Sequence, residues 1–395
     1  MSNNLTLRVM MLGGRRAGKT SALAAMQDCF DKQFKGTELN ITPSGGRALD
    51  VIEAKRVEME RYLTMASRDE PFVPDSAPTQ GDDTYRFNVR LKDRPDVISL
   101  DFYDFNGEWL VAGNPNYDDV QDQIKRADVI MIIIDTPYLM EEDGTYNDVR
   151  NRCFRITAAM KDNFDVRASV PKMVLFVPIK CERYYDENRM GDVYKQIVSD
   201  HCYGSLIDFL KGSCEMAVTP IQTIGTASFM GFDFDPSTGN CLMLKETDGK
   251  ELPGYPLYNF TQKAREAAKR QGLDRKYAAE PMYCEQPAVY TLYYALTYAA
   301  QVAKAKADNL KKGPFGFFNR KLVEVFLKTL QKTIPSFLWN IIPPQNLQDL
   351  IDRFSFASAE EFLKQRNIIF EKMERSGKGF DILLPDILDF RGEGD

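Results

Sequence analysis

Hydrophobic positions along the chain fall into short saturated runs separated by segments with helical spacing. Residues 5–12 (LTLRVMML) form an apolar run closed by Gly13-Gly14, which predicts a buried strand. Ala, Leu and Met dominate 20–34, which predicts a helix. Residues 84–91 alternate in polarity and 97–103 form a second strand candidate, with Asp93-Arg94-Pro95 as the turn between them. The nearly pure β-branched run 129–134 (VIMIII) suits a central strand covered on both faces. Residues 173–179 and 217–224 predict further strands, separated by helical stretches near 146–165 and 190–211. Strands alternating with helices predict an α/β fold: a doubly wound, mostly parallel sheet with helices on both faces.

Two segments interrupt the alternation. Residues 36–83 hold an amphipathic helix over 47–66 and a loop rich in Pro, Asp, Gly and Thr over 70–83. Residues 229–284, rich in Gly, Asp, Pro and Tyr, predict a hairpin with irregular structure. Long insertions of this kind in a compact domain are more often functional or mobile than neutral. The uncharged stretch 286–303 carries Pro287 and several Tyr, and its Val289, Leu292, Leu296 and Ala300 recur at helical spacing, which predicts a buried helix rather than a membrane span. The alternation stops near 308, so the chain divides into an α/β domain over 1–307, carrying both insertions, and a mostly helical C-terminal region over 308–395. Within the latter, 311–342 is basic and apolar together; its stripe of Leu322, Val323, Phe326, Leu330 and Ile334 predicts the core of a helical subdomain, with peripheral contact to an anionic membrane as the alternative.

Composition narrows the chemistry. The 395 residues include one histidine, His201, so no His-rich metal site can form and any imidazole-based triad would have to use that residue. The seven cysteines are scattered without a C-x-x-C pair, and nothing at the amino terminus reads as a signal peptide, which predicts a reducing cytoplasm. A net charge of −6 offers no global attraction for nucleic acid, and none is expected as a partner.

The sharpest motif is Gly13-Gly14-Arg15-Arg16-Ala17-Gly18-Lys19-Thr20, a G-x-x-x-x-G-K-[ST] loop between a predicted strand and a predicted helix. Glycines let successive backbone N–H groups turn around phosphates, and the following helix directs its positive end at them. Lys19 would neutralise β- and γ-phosphate oxygens, and the Thr20 hydroxyl would ligate Mg²⁺. A P-loop NTPase fold is therefore expected. Farther on, Asp104-Phe105-Asn106-Gly107 ends a strand with the D-x-x-G spacing that lets a carboxylate hold Mg²⁺ through water while a glycine amide reaches the γ-phosphate. Asp101 is the competing carboxylate; Asp104 is preferred because only it has the paired glycine.

GGRRAGKTS (13–21), DFYDFNGEWL (101–110), the ADVIMIIID strand and VLFVPIKCE (174–182) together resemble the GTPase domain of the TRAFAC, Ras-like class. The D-x-x-G-E-W-L segment is similar to that of YcjX-like bacterial GTPases and of GTPases associated with bacterial conflict systems. The resemblance covers about 1–230, and 285–305 if that helix closes the domain. It implies that Gly13 to Ser21 bind the nucleotide, that Glu108 orients the attacking water, and that a switch threonine folds over Mg²⁺. Thr79 is favoured for that role, with Thr42 and Thr84 as alternatives. It also implies GTP and GDP as ligands with Mg²⁺ and a protein effector or regulator, while the Glu108 carboxylate beside a polyanion predicts slow intrinsic hydrolysis.

In such GTPases an [NT]-K-x-D motif reads the base. Here Ile179-Lys180-Cys181-Glu182 stands in its place: Lys180 can stack over the base and Glu182 can accept from the guanine N–H groups, but Ile179 has no polar side chain to tie this loop to the phosphate loop. Gly225-Thr226-Ala227-Ser228 resembles the small-residue loop whose amide reads the guanine carbonyl, which adds Thr226 and Ala227 to the nucleotide-binding set. Two other readings stand beside GTP hydrolysis: an ATPase of the same loop class, encouraged by Ile179, and a nucleotide-dependent scaffold with little hydrolysis, encouraged by the carboxylate of Glu108 beside a polyanion. Phosphoryl transfer needs positioning and charge neutralisation rather than imidazole, which agrees with the histidine count.

Overall fold

The computed structural model describes residues 4–33, 39–65, 70–73, 82–91, 97–111, 113–165, 172–211, 213–245, 251–270, 279–292 and 294. The predicted C-terminal helical region, including 311–342, lies outside the described residues, as does Thr79.

The apolar run after the amino terminus forms β1 (Asn4–Leu12), and α1 (Lys19–Gln33) follows the glycine loop. The first insertion contains β2 (Leu39–Ser44) and α2 (Gly46–Met65). Then come β3 (Asp82–Leu91), β4 (Val97–Phe105), a 3-10 turn at Gly107–Leu110 and α3 (Tyr117–Arg126). β5 (Val129–Asp135) leads through α4 (Thr136–Met140), α5 (Asn147–Asn151) and α6 (Cys153–Asn163) to β6 (Lys172–Ile179). α7 (Glu182–Asp186), α8 (Met190–Ser199) and α9 (His201–Leu210) precede β7 (Cys214–Val218). These seven strands form one sheet in the order β2-β3-β4-β1-β5-β6-β7. β3 alone is antiparallel to its neighbours. Every residue of β5 and β6 is buried, as expected of strands covered on both faces.

β1 sits where the direction of winding reverses, between β4 and β5. The chain leaves β1 toward the β2 edge and leaves β4 toward β5 on the other side, and the crevice at the carboxyl ends of the strands at such a switch point is where these sheets bind ligands. The phosphate loop leaves β1 at that crevice.

Several expectations are corrected in detail. The last strand of the sheet ends at Val218 rather than near 224, although Thr219 N and Ile221 N still donate to Phe176 O and Pro178 O of β6 at 2.8 Å each. The helical stretch 146–165 breaks at Arg152, whose φ of 59° is left-handed, and 190–211 breaks at Asp200, whose carboxylate caps α9 by accepting from Cys202 N and Tyr203 N at 2.9 Å each. β2 is an edge strand that periodicity did not foretell; Pro43 within it is tolerated because an edge leaves one row of N–H groups unpaired. The second insertion holds nested hairpins, β8 (Ala227–Phe232) with β11 (Pro256–Phe260) and β9 (Met243–Lys245) with β10 (Glu251–Pro253), followed by α10 (Gln262–Arg270). Residues 286–292 are helical as expected, and among the described residues no helix is long and apolar enough to cross a membrane.

The two insertions meet. Phe72 and Tyr258 exchange backbone hydrogen bonds at 2.8 Å, and Leu63 of α2 packs with Ala227, Phe260 and Ala264 in a small cluster apart from the main core.

Candidate functional site

Three separately encoded groups converge at the end of β1. The Thr20 hydroxyl donates to Asp104 Oδ2 at 2.6 Å, and Lys19 Nζ lies 3.9 Å from Asp104 Oδ1. Lys19 also donates to the carbonyls of Gly13 and Gly14 at 3.3 and 3.4 Å. Both charged groups are buried, and Asp104 Oδ1 has no hydrogen-bond partner. Burial lowers the Lys19 pKa despite the nearby carboxylate, and burial raises that of Asp104 despite Lys19 and Thr20. Desolvation thus outweighs the attraction within the pair, and a further cation at this place would favour the ionised carboxylate of Asp104. A hydroxyl and a carboxylate are hard oxygen donors, which fits Mg²⁺, so Thr20 and Asp104 are the residues that would hold it. Asp101, on the same strand, is instead engaged by Arg86 in two bonds of 2.6 Å. An offset of three along a strand puts Asp101 on the opposite face from Asp104.

The loop is packed without slack. Gly18 has φ of 99°, and a Cβ there would lie 2.7 Å from Ile179 Cδ1. The isoleucine that replaces a polar tie therefore meets the phosphate loop through an apolar contact. At Gly107 a Cβ would fall 2.3 Å from Arg15 N and 2.4 Å from the Gly14 carbonyl carbon, so the D-x-x-G glycine rests directly on the phosphate-loop backbone. Arg16 takes a left-handed φ of 58°, a conformation costing a non-glycine residue about 1–2 kcal/mol. Ala17 N closes a turn on Gly14 O at 3.2 Å.

Glu108 follows Gly107 in the 3-10 turn capped by Asn106, and its Oε1 lies 3.3 Å from an Arg152 guanidinium nitrogen. Glu108 is thus paired with a cation. Thr42 and Thr84 sit in the β2–β3 and β3–β4 ladders, opposite Asn88 and Tyr103.

A cleft runs from Arg16, Gly18 and Ser21 to Lys180, Thr223 and Ile224. Lys180, left-handed at φ 59°, has its ammonium bonded to the Asp135 carboxylate at the end of β5. Thr136 fastens the same loop by donating to Ile179 O at 2.7 Å. Glu182 is buried, and its Oε1 accepts from Ile224 N and Gly225 N at 2.9 and 3.0 Å. Burial raises its pKa, opposed first by those amides. In this arrangement Glu182 joins the two base-side loops. Thr223 and Ile224 line the cleft, whereas Thr226 and Ala227 are drawn into contact with the second insertion, Thr226 O accepting from Thr261 N and Ala227 pairing with Phe260.

Sequence reasoning missed Asp135, Thr136, Arg150, Arg152 and the wall that α2 lends to the cleft through Met59, Tyr62 and Leu63. Only Asp135 left a signal, as a carboxylate ending an apolar strand. Two of the seven scattered cysteines meet beside a carboxylate: Cys153, Asp200 and Cys202 offer ligand atoms within 4.8 Å of one another, and His201 Nε2 lies 3.2 Å from Cys202 Sγ. Asp200 is already committed there to capping α9 and to Asn147, whose side-chain amide donates at 3.0 Å.

Residues 8–192, less than half of the chain, match the family model described as Double-GTPase 2. No curated protein matches the sequence. Similar solved structures include the Saccharomyces cerevisiae Ski7 GTPase-like domain bound to GTP, at 11% identity and a TM-score of 0.34, and the same domain bound to GDP and inorganic phosphate, at 14% and 0.33. Each alignment covers 55% of this chain and 43% of the Ski7 chain. The family match over 8–192, on a chain whose sheet order and phosphate loop are those described above, supports a P-loop GTPase that binds GTP.

Proposed function

We propose that the protein hydrolyses GTP slowly with Mg²⁺ and acts as a nucleotide-dependent switch. The observation that carries this reading is the contact of Thr20 with Asp104 beside Lys19, which joins two motifs 84 residues apart around a buried carboxylate oxygen without a hydrogen-bond partner. Mg²⁺ at that place would supply charge neutralisation for the phosphates. Lys19 and the loop amides bind and orient the β- and γ-phosphates, and the Gly107 amide reports the γ-phosphate to the segment that follows it. Glu108 orients water, and its pairing with Arg152 offsets only part of the repulsion between a carboxylate and the polyanion. The retained repulsion is consistent with slow turnover. Thr79 completes the γ-phosphate contacts, and an effector or regulator reads the change that these contacts impose on the first insertion. The resemblance to conflict-associated GTPases supports a bacterial stress or conflict response as the setting.

An ATPase is the second reading, favoured by Ile179 and by Glu182, whose oxygen is already bonded to two amides. Binding of fluorescent GTP and ATP analogues by wild type, Lys19→Ala and Glu182→Ala separates the two. The proposal expects GTP to bind more tightly than ATP, with Lys19→Ala abolishing both and Glu182→Ala erasing the preference. Equal binding of the two nucleotides by wild type would sink the guanine assignment.

A further inference from the structure

Arg150 ends the second of the short helices after β5 and belongs to none of the motifs above. Its side chain is buried, with 7% of its surface exposed, and its Nη1 has no hydrogen-bond partner. The guanidinium lies over the Tyr138 ring, 4.7 Å from the centroid, and no carboxylate among the described residues lies within ion-pair distance of it. The nearby strand-end carboxylate, Asp135, is taken by Lys180. A buried cation left in this state carries a desolvation penalty with little to offset it, and such groups persist where an anion completes them. The position says which anion. Arg150 lines the same cleft as Arg16, Gly18 and Ser21, the inner turn of the phosphate loop and the start of α1. Its helix is seated against that loop, since a Cβ on Gly14 would fall 2.0 Å from the Arg150 carbonyl oxygen.

We propose that Arg150 is a nucleotide-binding residue, a cation additional to Lys19 that contacts the phosphate oxygens of the bound nucleotide from the wall of the cleft formed by α5. It rests on the nucleotide-binding reading and adds to it a contact supplied from outside every recognised motif. Because the cleft it lines extends toward Lys180 and Thr223 rather than toward Gly107, the contact falls on the phosphates that a diphosphate retains. GDP and GTP therefore depend on it alike. Guanidinium hydrogen bonds to phosphate are charge-assisted and are among the strong ones a protein makes.

The test uses the full chain as wild type, Arg150→Met, Arg150→Lys and Lys19→Ala, measuring affinity for fluorescent GDP and GTP and the unfolding temperature with and without nucleotide. Methionine keeps an unbranched stem over Tyr138 and removes the charge. Arg150→Met is expected to unfold, when nucleotide-free, at or above the wild-type temperature, because an unpaired buried charge is gone. Its affinity for both nucleotides is expected to fall by about tenfold or more, as loss of a charged hydrogen bond implies, with Arg150→Lys between the two. Wild-type affinity in Arg150→Met overturns the proposal while leaving nucleotide binding intact. A lowered unfolding temperature in nucleotide-free Arg150→Met with unchanged affinity assigns Arg150 to packing and overturns it too. Failure of wild type to bind either nucleotide, matching Lys19→Ala, overturns the nucleotide-binding reading and this inference with it.

Discussion

In the proposed nucleotide site, the phosphate side and the base side of the cleft are built in different ways. On the phosphate side, Gly13 to Thr20 is one continuous stretch, and its recognition groups are mainly backbone amides whose directions follow from a strand, a turn and a helix N-terminus. On the base side, the wall is gathered from the ends of β5 and β6, the loop after β7, and α2 and Phe72 of the first insertion. Its connections are side chains: Lys180 to Asp135, Thr136 to the Ile179 carbonyl, Glu182 to the amides of Ile224 and Gly225. The second insertion then braces this side, Gln222 pairing with Met282 and Glu280 N donating to Ile224 O at 2.8 Å. Phosphate is the same in every nucleotide and can be met by a fixed local device. In the proposed reading the base side must discriminate, with an apolar residue and a glutamate standing where the resembled GTPases carry a polar residue and an aspartate.

Replacement of Asp104 tests the phosphate side most severely. Asp104→Asn is expected to reduce Mg²⁺-dependent hydrolysis by on the order of a hundredfold or more, read as phosphate release across a Mg²⁺ titration. Asparagine relieves the buried charge, so the nucleotide-free protein should not lose stability, which separates loss of function from loss of fold.

An intermediate effect is expected at the base side. Glu182→Ala leaves the amides of Ile224 and Gly225 without their buried acceptor and should cost about 1–3 kcal/mol of stability, measured by denaturant unfolding at neutral pH, whereas Glu182→Gln keeps an acceptor, removes the buried charge and should not lose stability. The pH dependence has a definite sign. Burial raises the pKa of both Asp104 and Glu182, so the folded chain holds these protons more tightly than the unfolded one. Their contribution to the stability of the nucleotide-free protein is therefore greatest at acid pH and is lost as pH climbs from the ordinary carboxylate range through the raised values. Unfolding temperatures across that range should show the decline, and Glu182→Gln should flatten it.

The smallest effect belongs to Asp101→Asn. Asp101 pairs with Arg86, whose side chain is half exposed, and such a pair contributes about 0.2–1 kcal/mol. Nucleotide affinity and Mg²⁺ dependence should stay at wild-type levels. A Mg²⁺ defect in Asp101→Asn equal to that of Asp104→Asn would reverse the choice between the two carboxylates.

Most of the sheet was legible because its central strands are buried on both faces and so are written as unbroken apolar runs. β2 was not, since an edge strand needs only a partner, and LNITPS carries no pattern that distinguishes it from a loop. The helix breaks at Arg152 and Asp200 were hidden for a related reason: helical spacing continues across a one-residue interruption.

By itself the sequence determined the phosphate loop, the D-x-x-G turn and the alternation that places both at one end of a parallel sheet. Each depends on residues close together in the chain, where backbone geometry leaves few options. Only the tertiary structure decided that Asp104 rather than Asp101 reaches Thr20, that Glu182 spans two loops, that Glu108 is paired with Arg152, and that the two insertions join at Phe72 and Tyr258. These depend on which face a side chain takes and on what comes to lie beside it from dozens to more than a hundred residues away. Periodicity cannot encode that, because it records where a residue is buried and not against what.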